Sequence, residues 1–435
     1  MKKTLRALIP AFALSIYHYA LALLAAIRYG FPSRRLILIG VTGTKGKTST
    51  ANFIWSCLSA GGKRTGIITT ANIRIGEREV LNAYHMTMPG PFVIQRLLKE
   101  MVQAGCTYCV VETTSEGLKQ HRHVGIQYDI AVFTNLFPEH LQSHGGSFEA
   151  YKTMKGTLFA SLSKHSRKVL GGRSVETVII ANAESEHAPF FLSFPADRKI
   201  TFAVDTNAEC TAKDVRSSSS GVSFTVGGSA FALAIPGAFN VGNALPAIII
   251  SRLAHITDDA MRAGLEALTV IPGRMEKIDE GQSYTVFVDY AHEGESMRGV
   301  LETAISMRAP GKRIIVLLGA EGGGRDKAKR PIMGRLAGAM ADYVVVSNVD
   351  PYEDDPKEIL EDIALAAQAA GKRRDADLFV IEDRRAGIEK ALSLASPGDI
   401  VLITGKGAEQ SIVIDGKSSP WDDRVVVREE LRKLL

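Results

Sequence analysis

Four cysteines in 435 residues are too few for a disulfide framework, and a chain of this kind belongs in a reducing compartment. Two of them, Cys106 and Cys109, have metal-like or redox-like spacing. No second pair accompanies them, and they run straight into the apolar Val110-Val111, so both read as buried structural cysteines. Net charge is also small: 52 basic residues against 47 acidic ones leave only +5 over this length. That balance alone decides nothing about nucleic acid, and no motif adds a nucleic-acid partner. The chain has no internal repeat and no low-complexity tract, which excludes solenoids and fibrous architectures.

What is present is length and alternation. At 435 residues one core is not expected, and two or three domains are. Strand-like apolar runs at Leu36–Ile39, Tyr108–Val111, Ile130–Phe133 and Thr177–Ile180 alternate with helical patterns, which implies a mainly parallel sheet covered by helices. Residues 212–231 are Ser/Gly-rich with a period of two and suggest a small inserted β-hairpin. Helices are expected at Asn243–Leu253 and after Asp258. Ile271-Pro272-Gly273-Arg274 reads as a linker, and a second series of strands follows at Thr285–Asp289, Arg313–Leu318, Tyr343–Ser347, Leu378–Ile381 and Asp399–Ile403. The expectation is an α/β protein with an apolar helix at 1–35, a P-loop-type central domain at 36–271 and a Rossmann-like C-terminal domain at 272–435. A cleft between two such domains would suit a nucleotide and a second substrate.

The front of the chain is unusual. Lys2, Lys3 and Arg6 precede 21 residues without formal charge, Ala7 to Ile27, and Arg28, Arg34 and Arg35 follow. As a helix this stretch is about 31 Å long, enough to cross a bilayer core. Pro10, Ser15, Tyr17, His18 and Tyr19 dilute its apolarity, and a cleaved signal is not expected, because the segment leads almost directly into a strand. Three readings stand: a membrane anchor, a helix lying in the interface, or a helix packed on the body. The flanking charges are balanced and do not set an orientation.

Chemistry enters at Gly40-Val41-Thr42-Gly43-Thr44-Lys45-Gly46-Lys47-Thr48-Ser49-Thr50. A Gly-rich turn between a buried strand and a helix N-terminus presents backbone N–H groups and a positive dipole to one point, which suits a phosphate chain. Lys47 would supply charge to the outer phosphates and Thr48 a hydroxyl ligand to magnesium. Val41 stands where the strict P-loop pattern has its first glycine. Glu112, at the end of a strand beside the loop, is placed to hold Mg²⁺. His140 follows another strand end at the same sheet edge and is a second candidate ligand. Lys155 lies in a helical stretch from Ser147 to Ser161, and by its residues alone reads as a solvated lysine.

These stretches resemble the Mur ligases, ATP-dependent amide-forming enzymes of peptidoglycan assembly, over roughly residues 36–430. The match rests on Gly43-Thr44-Lys45-Gly46-Lys47-Thr48, Thr134-Asn135-Leu136 with His140-Leu141, Tyr151 with Lys155 and Phe159, and Phe239-Asn240-Val241 with Asn243-Ala244. It continues through Pro272-Gly273-Arg274-Met275-Glu276, Val288-Asp289-Tyr290-Ala291-His292, Arg325-Asp326-Lys327, Gly405-Lys406-Gly407 and Asp422-Asp423-Arg424. Within the family the chain is most similar to ligases that add the third residue of the stem peptide. The resemblance implies that an acceptor carboxylate takes the γ-phosphate of ATP to give an acyl phosphate, which an amine then attacks. It implies Mg²⁺ at Thr48, Glu112, His140 and a carbamylated Lys155. It further implies nucleotide contacts at Gly43–Ser49, Asn182, Asn243, Arg274 and Asp289, and substrate contacts at Thr114, Ser115, His292, Arg325, Asp350 and Glu409.

The departures are specific. Where family members that add meso-diaminopimelate carry Asp-Asn-Pro-Arg, this chain reads Val349-Asp350-Pro351-Tyr352. A phenol cannot replace a bidentate Arg–carboxylate contact, so diaminopimelate is in doubt. Only some 36 residues precede the phosphate-loop strand, too few for the family's UDP-sugar-binding domain. The expected partners are a muramoyl peptide and an amino acid, for a monomer in the cytoplasm that is attached to the inner face of the membrane if residues 7–27 meet the lipid. Two alternatives remain: the same chemistry on a lipid-linked muramoyl peptide or a folylpolyglutamate-type acceptor, and a non-catalytic nucleotide-binding protein.

Overall fold

A computed structural model describes residues 10–84, 86–139, 141–218 and 221–434. The chain separates into two compact units. One consists of Met1–Asp214, Phe224–Phe231 and Val241–Ala267, and the other of Val215–Ser223, Ala232–Asn240 and Leu268–Leu435.

The first unit opens with helix α1 (Ala11–Tyr29), closed by Gly30 in the left-handed conformation. Strand β1 (Ile37–Thr42) follows, buried along almost its whole length because helices cover both faces of a parallel sheet. Next come α2 (Lys47–Ala60), β2 (Thr65–Ile68), β3 (Asn72–Ile75), β4 (Arg78–Leu81), α3 (Pro91–Gln103), β5 (Tyr108–Glu112), α4 (Ser115–Lys119) and β6 (Ile130–Phe133). Beyond them lie α5 (Phe148–Ser161), the short strands β7 (Val169–Leu170) and β8 (Arg173–Ser174), then β9 (Val178–Asn182), α6 (Ala188–Leu192) and β10 (Arg198–Ala203). Strands β9, β6, β1, β5 and β2 lie side by side and parallel in the middle of the large sheet, with the antiparallel β3 and β4 at one edge. All four cysteines are buried and free. For Cys109, burial pushes the thiol well above its ordinary pKa, as an inert core position requires.

Residues 212–231 depart from the expected hairpin. They belong to three strands, β11 (Cys210–Ser218), β12 (Gly221–Val226) and β13 (Ser229–Leu233), which continue the large sheet beyond β10. The alternation that suggests a hairpin also buries Val222, Phe224, Phe231 and Leu233, and such a buried face needs the neighbouring strand. Helices α7 (Phe239–Leu253) and α8 (Asp258–Ala267) follow.

The second unit carries a six-stranded sheet in the order β14 (Glu276–Ile278), β15 (Thr285–Asp289), β19 (Ile400–Thr404), β16 (Ile314–Leu318), β17 (Tyr343–Val346) and β18 (Leu378–Val380). Only β14 runs antiparallel to its neighbour. Helices α9 (Gly294–Met307), α10 (Lys329–Met340), α11 (Pro356–Ala369), α12 (Arg384–Ser393) and α13 (Asp423–Leu434) complete it, with a hairpin of β20 (Ser411–Ile414) and β21 (Lys417–Pro420).

Helix α1 packs along one stripe. Ala22, Ala25 and Ala26 are fully buried, and Ser15 Oγ sits 2.7 Å from His121 Nε2. His123 lies close by, its ring 6.2 Å from that of His121, and its buried Nδ1 has no hydrogen-bond partner. Burial first, then His121 and Lys164, push the His123 pKa down to about 4 from an ordinary 6.5. Between those values the unfolded chain binds a proton that the folded chain refuses. His123 therefore contributes stability in full above the unfolded pKa, and this is lost as pH falls toward about 4. We expect His123→Gln to flatten the acid limb of the unfolding free energy by on the order of 1–3 kcal/mol. Denaturant midpoints measured at neutral and acid pH in both proteins would reveal it; parallel curves would mean that His123 does not drive the acid loss.

Candidate functional site

The phosphate-loop motif lies between β1 and α2, and its central strand explains the motif's irregularity. Val41 is still in β1, paired with Glu112 on β5, so the chain has not begun to turn and needs no glycine there. The turn starts at Gly43. With φ of 149° and an added Cβ only 2.0 Å from Thr134 Oγ1, this position admits no side chain. Gly46 has φ of 79° and approaches Asn243 on α7 so closely that a Cβ would fall 2.1 Å from Asn243 Oδ1. The adjoining strand end braces the loop. Thr134 Oγ1 donates to the Lys45 carbonyl at 2.7 Å, and Asn135 Oδ1 accepts from Lys45 N at 2.8 Å. Asn182 reaches the same region by donating to the Thr134 carbonyl at 2.9 Å.

Four predicted residues converge at this loop. Thr48 Oγ1 donates to Glu112 Oε2 at 2.8 Å, putting a hydroxyl and a carboxylate oxygen side by side at the start of α2. Lys47 Nζ donates to the Thr44 carbonyl at 2.9 Å, and Lys155 Nζ to the Gly43 carbonyl at 2.8 Å. Ser49 is buried in the first turn of α2. Thr114 caps α4 by accepting from Gly117 N at 3.1 Å, and Ser115 Oγ lies 3.1 Å from His144 Nε2. His140 lies outside the described residues.

The reading of Lys155 as solvated is corrected by the structure: the side chain is 2% exposed. Tyr151, Lys155 and Phe159 recur every four residues on one face of α5 and are all buried, so the lysine occupies a core stripe. Burial is the main cause that holds its amine well below the usual lysine pKa, and the nearby Lys47 adds to it against Glu139 and Glu112.

Sequence reasoning also left residues out. Thr70 holds Glu112 through both its backbone N–H, at 2.8 Å, and its hydroxyl, at 3.1 Å. Nothing in the sequence around Thr70 signals this; only the pairing of β2 beside β5 brings it there. The predicted Thr44 and Lys45 also gain partners that the sequence did not single out for the site: Thr44 Oγ1 lies 3.3 Å from Tyr151 OH and accepts from Phe137 N at 2.9 Å, while Lys45 pairs with Glu139 at 2.6 Å.

The oxygen pair of Thr48 and Glu112 fits Mg²⁺, which takes one or two protein oxygens and keeps water or phosphate for the rest. Among the described residues no group of three or more His, Cys, Asp or Glu is assembled for a metal.

The second unit brings together the remaining predicted residues. Asp289, at the end of β15, accepts from Met275 N and Ala291 N, both at 2.7 Å. The Arg274 guanidinium lies 4.4 Å over the Tyr290 ring, and Tyr290 OH donates to Glu409 at 3.1 Å. Lys406 Nζ bridges Asp350, at 2.8 Å, and Glu409, at 2.7 Å. His292 Nδ1 sits 2.6 Å from the Tyr290 carbonyl. The Arg325 guanidinium is 5.9 Å from the Tyr352 ring, and Tyr352 holds a left-handed φ of 55°. Burial raises the Glu409 pKa against the opposing pull of Lys406. The outcome is a dense patch in which Arg325 faces a phenol and Lys406 is already matched by two carboxylates.

Comparison with known proteins is consistent along the chain. A family profile for the Mur ligase middle domain matches residues 41–251, and one for the Mur ligase, glutamate ligase domain matches residues 273–407. A UDP-N-acetylmuramyl-tripeptide synthetase from Roseiflexus sp. is 38% identical, over 98% of this chain and 84% of that protein. A UDP-N-acetylmuramoyl-L-alanyl-D-glutamate--2,6-diaminopimelate ligase from Geobacillus kaustophilus is 35% identical, over 98% of this chain and 85% of its own. A solved structure of a ligase with that diaminopimelate name superposes with a TM-score of 0.60 at 30% identity, over 92% of this chain and 79% of the other. Mycobacterium tuberculosis folylpolyglutamate synthase complexed with ADP gives 0.69 at 20% identity, over 97% and 94%, a likeness of fold alone.

Proposed function

We propose the following reaction for this chain, which belongs to the Mur ligase family and is an ATP-dependent, amide-forming ligase: it joins an amino acid to the free carboxylate of a muramoyl dipeptide as the third residue of the stem. The observation that carries this reading is the convergence of Lys47, Thr48, Glu112 and Lys155 on one phosphate loop. In the proposed roles, the N–H groups at the start of α2 and Lys47 bind and orient the phosphate chain while charge develops on the transferring group. Thr48 and Glu112 are the residues that would hold magnesium, with Thr70 fixing the carboxylate. Lys155, whose burial favours the uncharged amine, is suited to take up carbon dioxide as a carbamate and so to become an oxygen ligand. Bound magnesium would neutralise phosphate charge during transfer of the γ-phosphoryl group to the acceptor carboxylate. Asn182, Asn243, Arg274 and Asp289 are assigned to the nucleotide, and Thr114, Ser115, His292, Arg325, Asp350 and Glu409 to the acceptor and the amino acid.

Tyr352 refines the substrate. With the phenol against Arg325 and both acids on Lys406, a second carboxylate on the incoming amino acid has no bidentate clamp here. We therefore expect lysine or ornithine to be preferred to diaminopimelate. The test is ADP release from Mg-ATP and UDP-MurNAc-L-Ala-D-Glu across these three amines. Release that requires both the dipeptide and a diamine lacking the second carboxylate supports the reading. Release with diaminopimelate alone overturns the role of Tyr352, and release without any amine overturns the ligase assignment.

A further inference from the structure

We propose that α1 is a membrane-surface helix: it lies in the plane of an anionic lipid bilayer with its apolar face toward the lipid, and holds the first unit against that surface. The inference is independent of which acceptor the enzyme uses.

Two faces of α1 have opposite characters. One is committed to the protein. Ala22, Ala25 and Ala26 are completely buried, and Gly125 comes so near that an added Cβ would lie 2.3 Å from Ala26 Cβ. At the two ends Ser15 meets His121, and the Tyr29 ring packs edge-on to Phe92 of α3 at 6.5 Å. The opposite face is apolar and uncovered. Phe12, Ile16, Leu24 and Ile27 are 56–69% exposed, with Leu23 at 36% beside them. At 100° per residue these five side chains share one face roughly a third of the circumference wide, away from the alanine stripe.

By length and composition α1 could cross a bilayer. A crossing helix, however, surrenders its whole circumference to lipid or to other spanning helices. Here the alanine stripe is sealed against α3 and the loop at Gly125, elements of a domain that also presents charged side chains to solvent. Lying along the surface satisfies both faces at once, with one on the body and the other in the boundary between headgroups and acyl chains.

Charge selects the partner. No Asp or Glu occurs before Glu77, whereas Lys2, Lys3, Arg6, Arg28, Arg34 and Arg35 fall within the first 35 residues. Arg28, Arg34 and Arg35 are exposed where α1 ends. A second copy of the chain seated face to face on α1 would bring the same cations against its own, with no acid in the first 76 residues to pair with them. An anionic lipid surface supplies the missing charge, at about 1 kcal/mol of attraction per basic residue near the surface. An apolar face combined with a basic cluster makes the two signals that stable peripheral attachment requires.

The experiment is flotation of the full chain with vesicles of phosphatidylglycerol and phosphatidylcholine, and with phosphatidylcholine alone, at low and high salt. Binding to the mixed vesicles should exceed binding to neutral ones by about tenfold or more and should weaken as salt rises. The double variant Ile16→Asp, Leu24→Asp should lose binding by at least about tenfold, with its thermal midpoint and ADP release on soluble substrates unchanged. Arg34→Glu with Arg35→Glu should abolish the preference for the anionic lipid. Three results would overturn the proposal. They are no flotation with anionic vesicles, resistance of bound protein to alkaline carbonate as for a spanning helix, and a wild-type dimer that the Ile16/Leu24 variant dissociates while vesicle binding is absent.

Discussion

Lys47→Ala should lower ADP release by roughly a hundredfold to a thousandfold or more, the scale expected when a preorganised charge is removed from the site of developing negative charge. The fold should survive. Lys47 is only half-buried, at the first turn of α2, where it donates to the Thr44 carbonyl. Equal thermal midpoints with collapsed turnover would place the defect in the chemistry. Normal turnover in the variant would mean that the loop between β1 and α2 does not bind the phosphates.

Lys155→Ala should be nearly inactive, for a different reason. Its amine is buried and its pKa is held well below the usual lysine value, which favours the uncharged form that adds to carbon dioxide. The proposed role is then that of an anion, so acetate or formate added to the variant should restore part of the activity, while added amines should not. Wild-type activity should rise with bicarbonate until the site is filled. The control is stability, because truncation leaves the Gly43 carbonyl without its donor, at a cost of about 1–3 kcal/mol for a buried acceptor. An inactive but folded variant rescued by carboxylate supports the carbamate. A fully active one removes Lys155 from the mechanism.

The parallel core of both units was legible because β1, β5, β6, β15 and β16 are continuous apolar runs of strand length separated by helical spacing. The phosphate loop was legible because its glycines sit where the chain must turn left-handed or pass close to Thr134 and Asn243. Two kinds of information were not. Burial of Lys155 depends on how α5 rests on β1, where Gly40 leaves room for Leu158 and Tyr128, and a polar residue in an apolar stripe reads locally as solvent-facing. The clamp of Thr70 on Glu112 joins residues 42 apart through strand pairing, which no local pattern encodes. The strands of residues 210–233 were visible as alternation, but their attachment to the large sheet was not, since alternation specifies a half-buried face and leaves the neighbour open.

Two lysines end on main-chain oxygens of the loop, Lys47 on Thr44 and, reaching in from α5, Lys155 on Gly43. The loop is therefore its own placeholder ligand. Together with the brace from Thr134 and Asn135 these bonds hold its shape, so an arriving nucleotide has little left to organise. It must instead outbid a carbonyl dipole for the Lys47 ammonium, a bond worth about 1.5–3 kcal/mol when one partner is charged. Adenosine brings no negative oxygen to that point, a monophosphate brings few, and a triphosphate brings several. An ordinary hydrogen bond thus works as a threshold that admits ligands by the amount of charge they carry.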